Sequence, residues 1–388
     1  MRKPHSLVVS NVLLIALLCG GEISIADSLP EPRTDLSYSH SDAGGDRISG
    51  PEWSITRRFA RDTAVSALYE VDRVSAAAED IAAPQTQRLD ETRALGRLDI
   101  DFRDGTTIYS AGISRNSGNS YAGSLVRAAI SQSLFHDLTT LAVGVSRGWD
   151  QTYRVLADTA ERDPTYSGHA GRRGWWGTID QIVTPSLRLT LDGGFLGQNG
   201  SLGLADSGVR FLLNDGLVAT AAEVVPGTRG RYNLGLHGTY SLGTKGSVAS
   251  GISYYYDSWG IRARAYDLTW RRNFRQDRLN LDLETRVYNQ SHATFYTDLG
   301  NGLPTGDISR DRSLSRHQSL QVGGGINWQT RWHPHLGIQR WTTGIHLDLV
   351  RYQYADFRDL RVTGVAAGSE PYYRPTGLLA QLHLTGWF

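Results

Sequence analysis

The strongest constraint on the fold is a two-residue alternation of apolar and polar side chains that recurs along the chain. Its clearest copy is Leu279–Gln290, which has the sequence LNLDLETRVYNQ. Every second residue from Leu279 to Val287 is leucine, threonine or valine, and the residues between them are polar or charged. A period of two places the two sets on opposite faces of a β-strand, whereas a helix would mix them. One copy would also fit a soluble sheet, but repeated copies predict an all-β protein.

The first 26 residues have the layout of a secretory signal peptide. Arg2 and Lys3 precede the apolar run Leu7–Leu18, and Ser24 and Ala26 are small residues at the two positions that a signal peptidase recognises. The run is too short for a retained membrane anchor. We therefore predict a signal peptide over residues 1–26 and a single domain over residues 27–388.

Cys19 is the only cysteine in the chain. A lipidated cysteine follows a small residue, whereas Leu18 precedes Cys19 here, which favours an ordinary signal peptide over a lipoprotein signal. Removal of the signal peptide leaves no cysteine. Disulfides, thiolate metal sites and a cysteine nucleophile are therefore excluded from the mature chain.

Charge and composition narrow the class of protein further. The formal net charge is +1, and the signal peptide carries two positive residues and one negative residue, so the mature chain is neutral and no nucleic-acid binding is expected. The chain contains 10 Trp, 18 Tyr and 43 Gly, and many of the tryptophans lie near the ends of predicted strands. Aromatic girdles, glycine and alternating segments in a secreted chain are typical of bacterial outer-membrane barrels.

The alternating segments predict about eighteen strands of membrane-spanning length, with sixteen as the alternative. The lower count applies if the weak segments Leu204–Leu212 and Leu217–Val224 form one loop. With the last strand directed toward the periplasm, the predicted periplasmic turns are Asp104-Gly105, Phe135-His136-Asp137, Thr184-Pro185, Asn214-Asp215-Gly216 and Gln276-Asp277. The predicted outer loops are Arg73–Asp90, Asp150–Arg173, Ser291–Ser313 and Ala355–Thr376. Short turns on one side and long loops on the other predict a single transmembrane antiparallel β-barrel in the bacterial outer membrane.

The chain ends on an aromatic residue, Phe388, which shares its strand face with Leu384 and Leu382. This arrangement resembles the targeting signal that the bacterial barrel-assembly machinery recognises, although Gly386 occupies a position where an aromatic residue is often found. The expected partners are therefore outer-membrane lipid and the assembly machinery. The sequence does not indicate an oligomeric state.

Charged residues occupy the faces that we expect to point into the barrel. These candidates are Glu70, Asp72, Arg97, Asp99, Asp101, Arg127, Arg188, Asp282, Glu284 and Arg286. They could form a lumen that selects solutes or binds a ligand, or they could pair with opposite charges on neighbouring strands. The pairs Asp99/Asp101 and Asp282/Glu284 lie about 7 Å apart on one face by strand rise, a spacing that could suit a cation or acid–base chemistry. The adjacent arginines favour salt-bridge ladders instead.

No motif indicates an enzyme, and we expect no catalytic residues and no cofactor. The sequence contains no nucleophile elbow, phosphate loop, dinucleotide fingerprint or HExxH motif. His292 and Ser315 could belong to a hydrolase site at the outer rim, but no motif joins them. His333 and His335 flank a proline in a predicted periplasmic turn, and two histidines alone seldom form a metal site. We therefore expect no metal.

Two short motifs carry a resemblance to a known family. The segment Tyr69–Ala77 (YEVDRVSAA) and the segment Arg310–Ser315 (RDRSLS) resemble the early D-x-V-S-x-A box and the late D-x-x-L-S box of the bacterial outer-membrane family called domain of unknown function 3570. The matching residues are Asp72, Val74, Ser75 and Ala77 in the first box, and Asp311, Leu314 and Ser315 in the second. Ala76 replaces the glycine-containing centre that is common in the first box. The resemblance implies a barrel and implies no activity.

Three functional hypotheses remain open. The first is a pore or transporter for a small solute, the second is a scaffold or assembly barrel that docks an envelope partner, and the third is an outer-membrane hydrolase. We rank them in that order. The sequence does not identify the solute.

Overall fold

The computed structural model describes residues 28–43, 46–76, 89–156, 161–203, 207–274, 278–302, 305–330 and 337–388. The predicted signal peptide lies outside these residues, as do Ala77, His333 and His335. No helix in the described part of the chain is long and apolar enough to cross a membrane.

The chain forms a closed antiparallel barrel of sixteen strands, which is the alternative count from the sequence. The barrel strands are β1 Arg33–Ala43, β2 Asp46–Ala60, β3 Thr63–Ala76, β4 Leu89–Asp104, β5 Thr107–Ser117, β6 Tyr121–Leu134, β7 Thr139–Val155, β8 Arg162–Thr184, β9 Leu187–Gly200, β12 Thr228–Ser241, β13 Gly246–Asp257, β14 Arg262–Phe274, β15 Leu279–Gln290, β17 His317–Thr330, β18 Arg340–Tyr354 and β19 Thr376–Trp387. Each strand pairs with the next one along the chain, and β19 closes the barrel by pairing with β1. The predicted fold is therefore confirmed.

Three shorter strands form a separate sheet. They are β10 Gly208–Leu212, β11 Val218–Ala222 and β16 Gly300–Asn301. β10 pairs with β11 in antiparallel fashion and with β16 in parallel. The first two contain 5 residues each, whereas a tilted membrane strand needs about 9–11. The two weak segments of the sequence therefore belong to the connection between β9 and β12, and eighteen was an overcount.

The connections are unequal at the two ends of the barrel. Tight turns join β2 to β3, β4 to β5, β6 to β7 and β8 to β9 at the end where the termini lie. At the Asp104-Gly105 turn Gly105 has a φ of 60°, and Phe135, His136 and Asp137 have φ values of 53°, 57° and 65°, in the left-handed region that favours glycine. The long connections 201–227, 291–316 and 355–375 lie at the opposite end.

Two details of the predicted connections were wrong. The turn Asn214-Asp215-Gly216 lies between β10 and β11, at the long-loop end, because those two strands do not cross the barrel. Most of the predicted loop Asp150–Arg173 is strand, because β7 runs to Val155 and β8 begins at Arg162. β8 has 23 residues, so this hairpin extends beyond the length that a membrane crossing requires.

Candidate functional site

Neighbouring residues on one strand show which face of the barrel is polar. On β15, Asp282 is 5% exposed and Leu283 is 52% exposed. The same contrast recurs around the barrel, where large apolar side chains such as Leu98, Val143 and Leu347 are exposed on the outer surface. A surface this apolar marks contact with a partner or with lipid. The polar side chains face the barrel interior, as expected from the parity of the sequence.

The interior charges on β4 and β6 are paired with one another. Arg97 donates a hydrogen bond to Asp99 at 2.8 Å. Arg127 also donates to Asp99, from two strands away. Asp101 accepts a hydrogen bond from Ser110 at 2.5 Å. Three of the candidate residues, Arg97, Asp99 and Arg127, are therefore linked by hydrogen bonds, and Asp101 lies beside them on the same strand as Asp99.

Three other candidates lie on β3 and β9. Arg188 donates to Asp180 at 2.6 Å. Glu70 lies directly opposite Glu52 in the strand register, and Asp72 lies opposite Arg93. Glu70 and Asp72 therefore add two carboxylates of β3 to the interior wall between β2 and β4.

The last three candidates lie on β15, facing β18 across β17. The imidazole of His346 lies 3.2 Å from Asp282, 3.5 Å from Glu284 and 3.2 Å from Asp348. Arg286 has a buried Nε with no hydrogen-bond partner among the described residues. Glu284, His346 and Asp348 form the group that is able to hold a metal ion in the described part of the chain. Sequence parity found the two acids on β15, but it could not find their partners on β18.

A second polar cluster lies outside the barrel strands and was not predicted. We call it the outer cap, and it consists of the connections 201–227, 291–316 and 355–375. At its centre, Asp298 accepts hydrogen bonds from Arg310 at 3.0 Å and from Arg358 at 2.9 Å. Arg210 donates to Glu370 at 2.8 Å and approaches Asp298 at 3.7 Å. Each of the three connections therefore contributes charged groups to one network.

The outer cap is held to the barrel by apolar and ionic contacts. Phe357 and Tyr373 are buried with Tyr352 and Tyr354, which end β18. Arg312 reaches Asp46 at the start of β2, with 2.6 Å between nitrogen and oxygen. Because β2 and β17 are separated by three strands in the barrel, this ion pair ties the cap across part of the barrel mouth.

An open cleft of about 350 Å³ lies in the outer cap. His292 and Asp356 line one part of it, with 2.7 Å between Nδ1 and Oδ2, and Tyr296, Asp298 and Arg358 line another. Burial raises the pKa of Asp356 above its ordinary value, although the hydrogen bond to His292 opposes that effect. The cleft therefore offers carboxylates, an imidazole and a guanidinium to a polar ligand.

The residues considered for hydrolysis have other contacts. Ser315 is fully buried, and its hydroxyl donates to the carbonyl oxygen of Arg312 at 2.6 Å. His292 contacts Asp356 as described. In the late sequence box, Asp311 accepts a hydrogen bond from the backbone N–H of Ser313, and Leu314 is buried. The late sequence box therefore forms a hydrogen-bonded turn within the outer cap.

One part of the chain matches a known protein family. Residues 206–344 match the model of a family described as Protein of unknown function (DUF3570). This match confirms the family resemblance. The late box at 310–315 lies within the DUF3570 match, and the early box lies before it. No curated protein sequence matches this chain.

Solved structures resemble this chain in fold. A protein described as a bacterial polysaccharide outer membrane secretin has 10% identity and a TM-score of 0.51, over 92% of this chain and 98% of that one. OccK2 (OpdF) of Pseudomonas aeruginosa, in complex with glucuronate, has 8% identity and a TM-score of 0.44, over 92% and 98%. The siderophore receptor PirA of Acinetobacter baumannii has 9% identity and a TM-score of 0.44, over 90% and 57%. At these identities the likeness is one of fold alone.

Proposed function

We propose that this chain is a bacterial outer-membrane protein that serves as a pore or transporter for a small polar solute. One observation carries the proposal, namely a closed barrel that is apolar outside and charged inside. In lipid every backbone polar group must be paired, and a closed barrel achieves this without a free edge. An interior lined with ionised side chains stabilises water and polar solutes far better than apolar ones.

The predicted signal peptide and the last strand would direct the protein to its membrane. Residues 1–26 would direct secretion, and Leu382, Leu384 and Phe388 would present the assembly signal. The outward aromatic and aliphatic residues would contact lipid. No catalytic residue and no cofactor is required for this function.

The outer cap is the part that would control admission of the solute. Its three connections meet at Asp298. Arg310, which pairs with Asp298, is only 2% exposed. Removing one partner of a buried ion pair leaves the other uncompensated, at a cost of about 3–5 kcal/mol. Loss of Arg310 should therefore loosen the outer cap, while the sixteen barrel strands keep their own pairing.

Conductance across a planar lipid bilayer tests the proposal. The purified mature protein should give discrete channel openings, and Arg310→Ala should give a larger mean conductance because its cap is loosened. Arg361→Ala is the matched control. Arg361 lies in the same cap and pairs with Asp359 at 2.7 Å, but its side chain is 59% exposed, and exposed pairs contribute only about 0–1 kcal/mol.

The control should conduct as the unchanged protein does. Folding of each variant is checked first by the shift in gel mobility between heated and unheated samples. If neither the unchanged barrel nor folded Arg310→Ala conducts, and neither admits sugars in a vesicle-swelling assay, the proposal is wrong.

A further inference from the structure

An unusual concentration of acid lies inside the barrel between β15 and β18. Asp282 and Glu284 come from β15, and His346 and Asp348 come from β18. The register aligns Asp282 with Gly325 and His346, and it aligns Glu284 with Gly323 and Asp348. All four side chains therefore project from two adjacent rows on the interior wall.

β17, the strand between β15 and β18, leaves room for these four side chains to meet. A Cβ atom on Gly323 would lie 1.7 Å from Oδ1 of Asp348, and one on Gly325 would lie 2.7 Å from Nδ1 of His346. Real Cβ atoms do not approach other atoms so closely. Glycine at these two positions is what allows the side chains of β15 and β18 to meet across β17.

The cluster carries more negative charge than its described neighbours neutralise. Asp282, Glu284 and Asp348 carry three negative charges when ionised. Even with a protonated His346, the cluster would therefore keep two negative charges without a partner. The nearby amides of Gln321 and Asn327 donate hydrogen bonds but carry no charge. No Lys or Arg in the described ranges forms an ion pair with these acids, although Arg271 lies opposite Asp282 in the register. Buried charge without a counter-charge is strongly unfavourable.

The donor atoms lie close enough together to share one metal ion. One oxygen of Glu284, one nitrogen of His346 and one oxygen of Asp348 all lie within 4.8 Å of one another. Nε2 of His346 faces both Glu284 and Asp348. Its other nitrogen, Nδ1, is buried and lies 3.2 Å from Oδ2 of Asp282. Histidines that bind metals commonly donate their second N–H to such a carboxylate.

We infer that Glu284, His346 and Asp348 bind a divalent transition-metal cation inside the barrel, with Asp282 orienting the imidazole. One imidazole and two carboxylates match the ligands of Zn²⁺, Mn²⁺ and Fe²⁺ better than the all-oxygen sites of Mg²⁺ and Ca²⁺. A cation also supplies the counter-charge that the cluster lacks. The inference does not depend on whether the barrel conducts a solute.

Metal binding to the full mature protein in detergent tests this inference. The chelator-treated protein is titrated with Zn²⁺ by calorimetry, and bound metal is counted by elemental analysis after desalting. One Zn²⁺ should bind per chain. Co²⁺ should give visible absorption bands that Zn²⁺ then removes.

Variants identify which residues hold the ion. His346→Ala and Asp348→Asn should abolish binding, and Asp282→Asn should weaken it by about 10–100-fold, the usual effect of losing such an outer carboxylate. The matched control is Asp101→Asn, an interior acid that accepts from Ser110 on the other side of the barrel. It should bind Zn²⁺ as the unchanged protein does.

Three outcomes would overturn the inference. They are less than one-fifth of an ion per chain in the unchanged protein, equal binding by folded His346→Ala, and binding of Ca²⁺ in preference to Zn²⁺. Heat-dependent gel mobility confirms that each variant is folded, so a loss of binding cannot be attributed to a lost barrel.

Discussion

At the residue scale, several interior charges are neutralised by neighbours that the sequence pattern cannot identify. Asp99 illustrates the point. Arg97 is its neighbour two positions along β4, and the period of two predicts that contact. Arg127 comes from β6, 28 residues away, and it reaches Asp99 past Gly112 of β5. Parity identifies the face of each residue, whereas pairing depends on the register of three strands.

The charged network of the outer cap makes a prediction about pH. Burial is the largest single effect and opposes ionisation of Glu370, but the hydrogen bond and charge of Arg210, together with backbone N–H donors, outweigh it and hold the pKa of Glu370 below its ordinary value of 4.5. A lowered pKa in the folded state gives stability that is present above pH 4.5 and is lost as the pH falls through the folded-state value. The contribution of Glu370 to the stability of the outer cap should therefore be lost as the pH falls below 4.5.

An environment-sensitive dye can follow this change. Residues 27–388 contain no cysteine, so a purified chain of those residues that carries Val365→Cys, an exposed position in the same connection, accepts a single dye. Its fluorescence should change below pH 4.5 in the otherwise unchanged protein. Glu370→Gln should give the low-pH signal already at pH 7, and Asp359→Asn, whose partner Arg361 is 59% exposed, should behave as the parent does. A flat response in the parent would contradict the prediction.

At the element scale, glycines on one strand allow the side chains of its two neighbours to meet. Gly112 has this role between β4 and β6, and Gly323 has it between β15 and β18. Gly251 repeats it on β13, where a Cβ atom would lie 2.3 Å from His237 of β12 and 2.6 Å from Asp267 of β14. Glycine normally weakens a strand. Here its interior positions bring together charges two strands apart.

The last strand supports a prediction about assembly. Phe388 packs beneath the guanidinium of Arg57, 3.4 Å from the ring centre, and its N–H donates to Pro32. If Leu382, Leu384 and Phe388 form the assembly signal, Phe388→Ala should lower the folded fraction in the outer membrane of cells. The purified variant should still refold in detergent as well as the unchanged protein, because no barrel strand pairing is removed.

Phe59→Ala is the matched control for that experiment. Phe59 lies on β2, outside the last strand, and is 75% exposed, so its loss leaves the assembly signal intact and should not lower the folded fraction in cells. Equal folding of Phe388→Ala and the unchanged protein in cells would argue against the signal. A failure of Phe388→Ala to refold in detergent would show instead that the contact with Arg57 is structural.

At the scale of the whole molecule, the sequence predicts the barrel well and the outer cap poorly. Alternation is local, so it predicted all sixteen barrel strands, such as Leu279–Gln290, without any knowledge of their partners. The outer cap has no period, and its contacts join distant residues, as Arg210 and Glu370 show at a separation of 160 positions. The same limit hid His346 from the sequence analysis, because its importance depends on acids that lie more than 60 residues earlier in the chain.

The apolar outer surface makes a prediction that separates a membrane barrel from a soluble one. Leu283 is 52% exposed near the middle of β15. In lipid, Leu283→Arg should lower the free energy of unfolding by about 2–4 kcal/mol, since arginine is costly on the lipid face of a barrel near the midplane. In water an already exposed position should change by only about 0.5 kcal/mol. Guanidine titrations in phospholipid vesicles, followed by tryptophan fluorescence, measure the difference.

Thr178→Arg is the matched interior control for Leu283→Arg. Thr178 lies on the inner face of β8, opposite Asp192 in the register, so an added guanidinium meets a carboxylate and water in place of lipid. Its effect should be much smaller than that of Leu283→Arg. If the two variants unfold at the same denaturant concentration as the unchanged protein, the outer surface does not contact lipid, and the proposed membrane function fails with it.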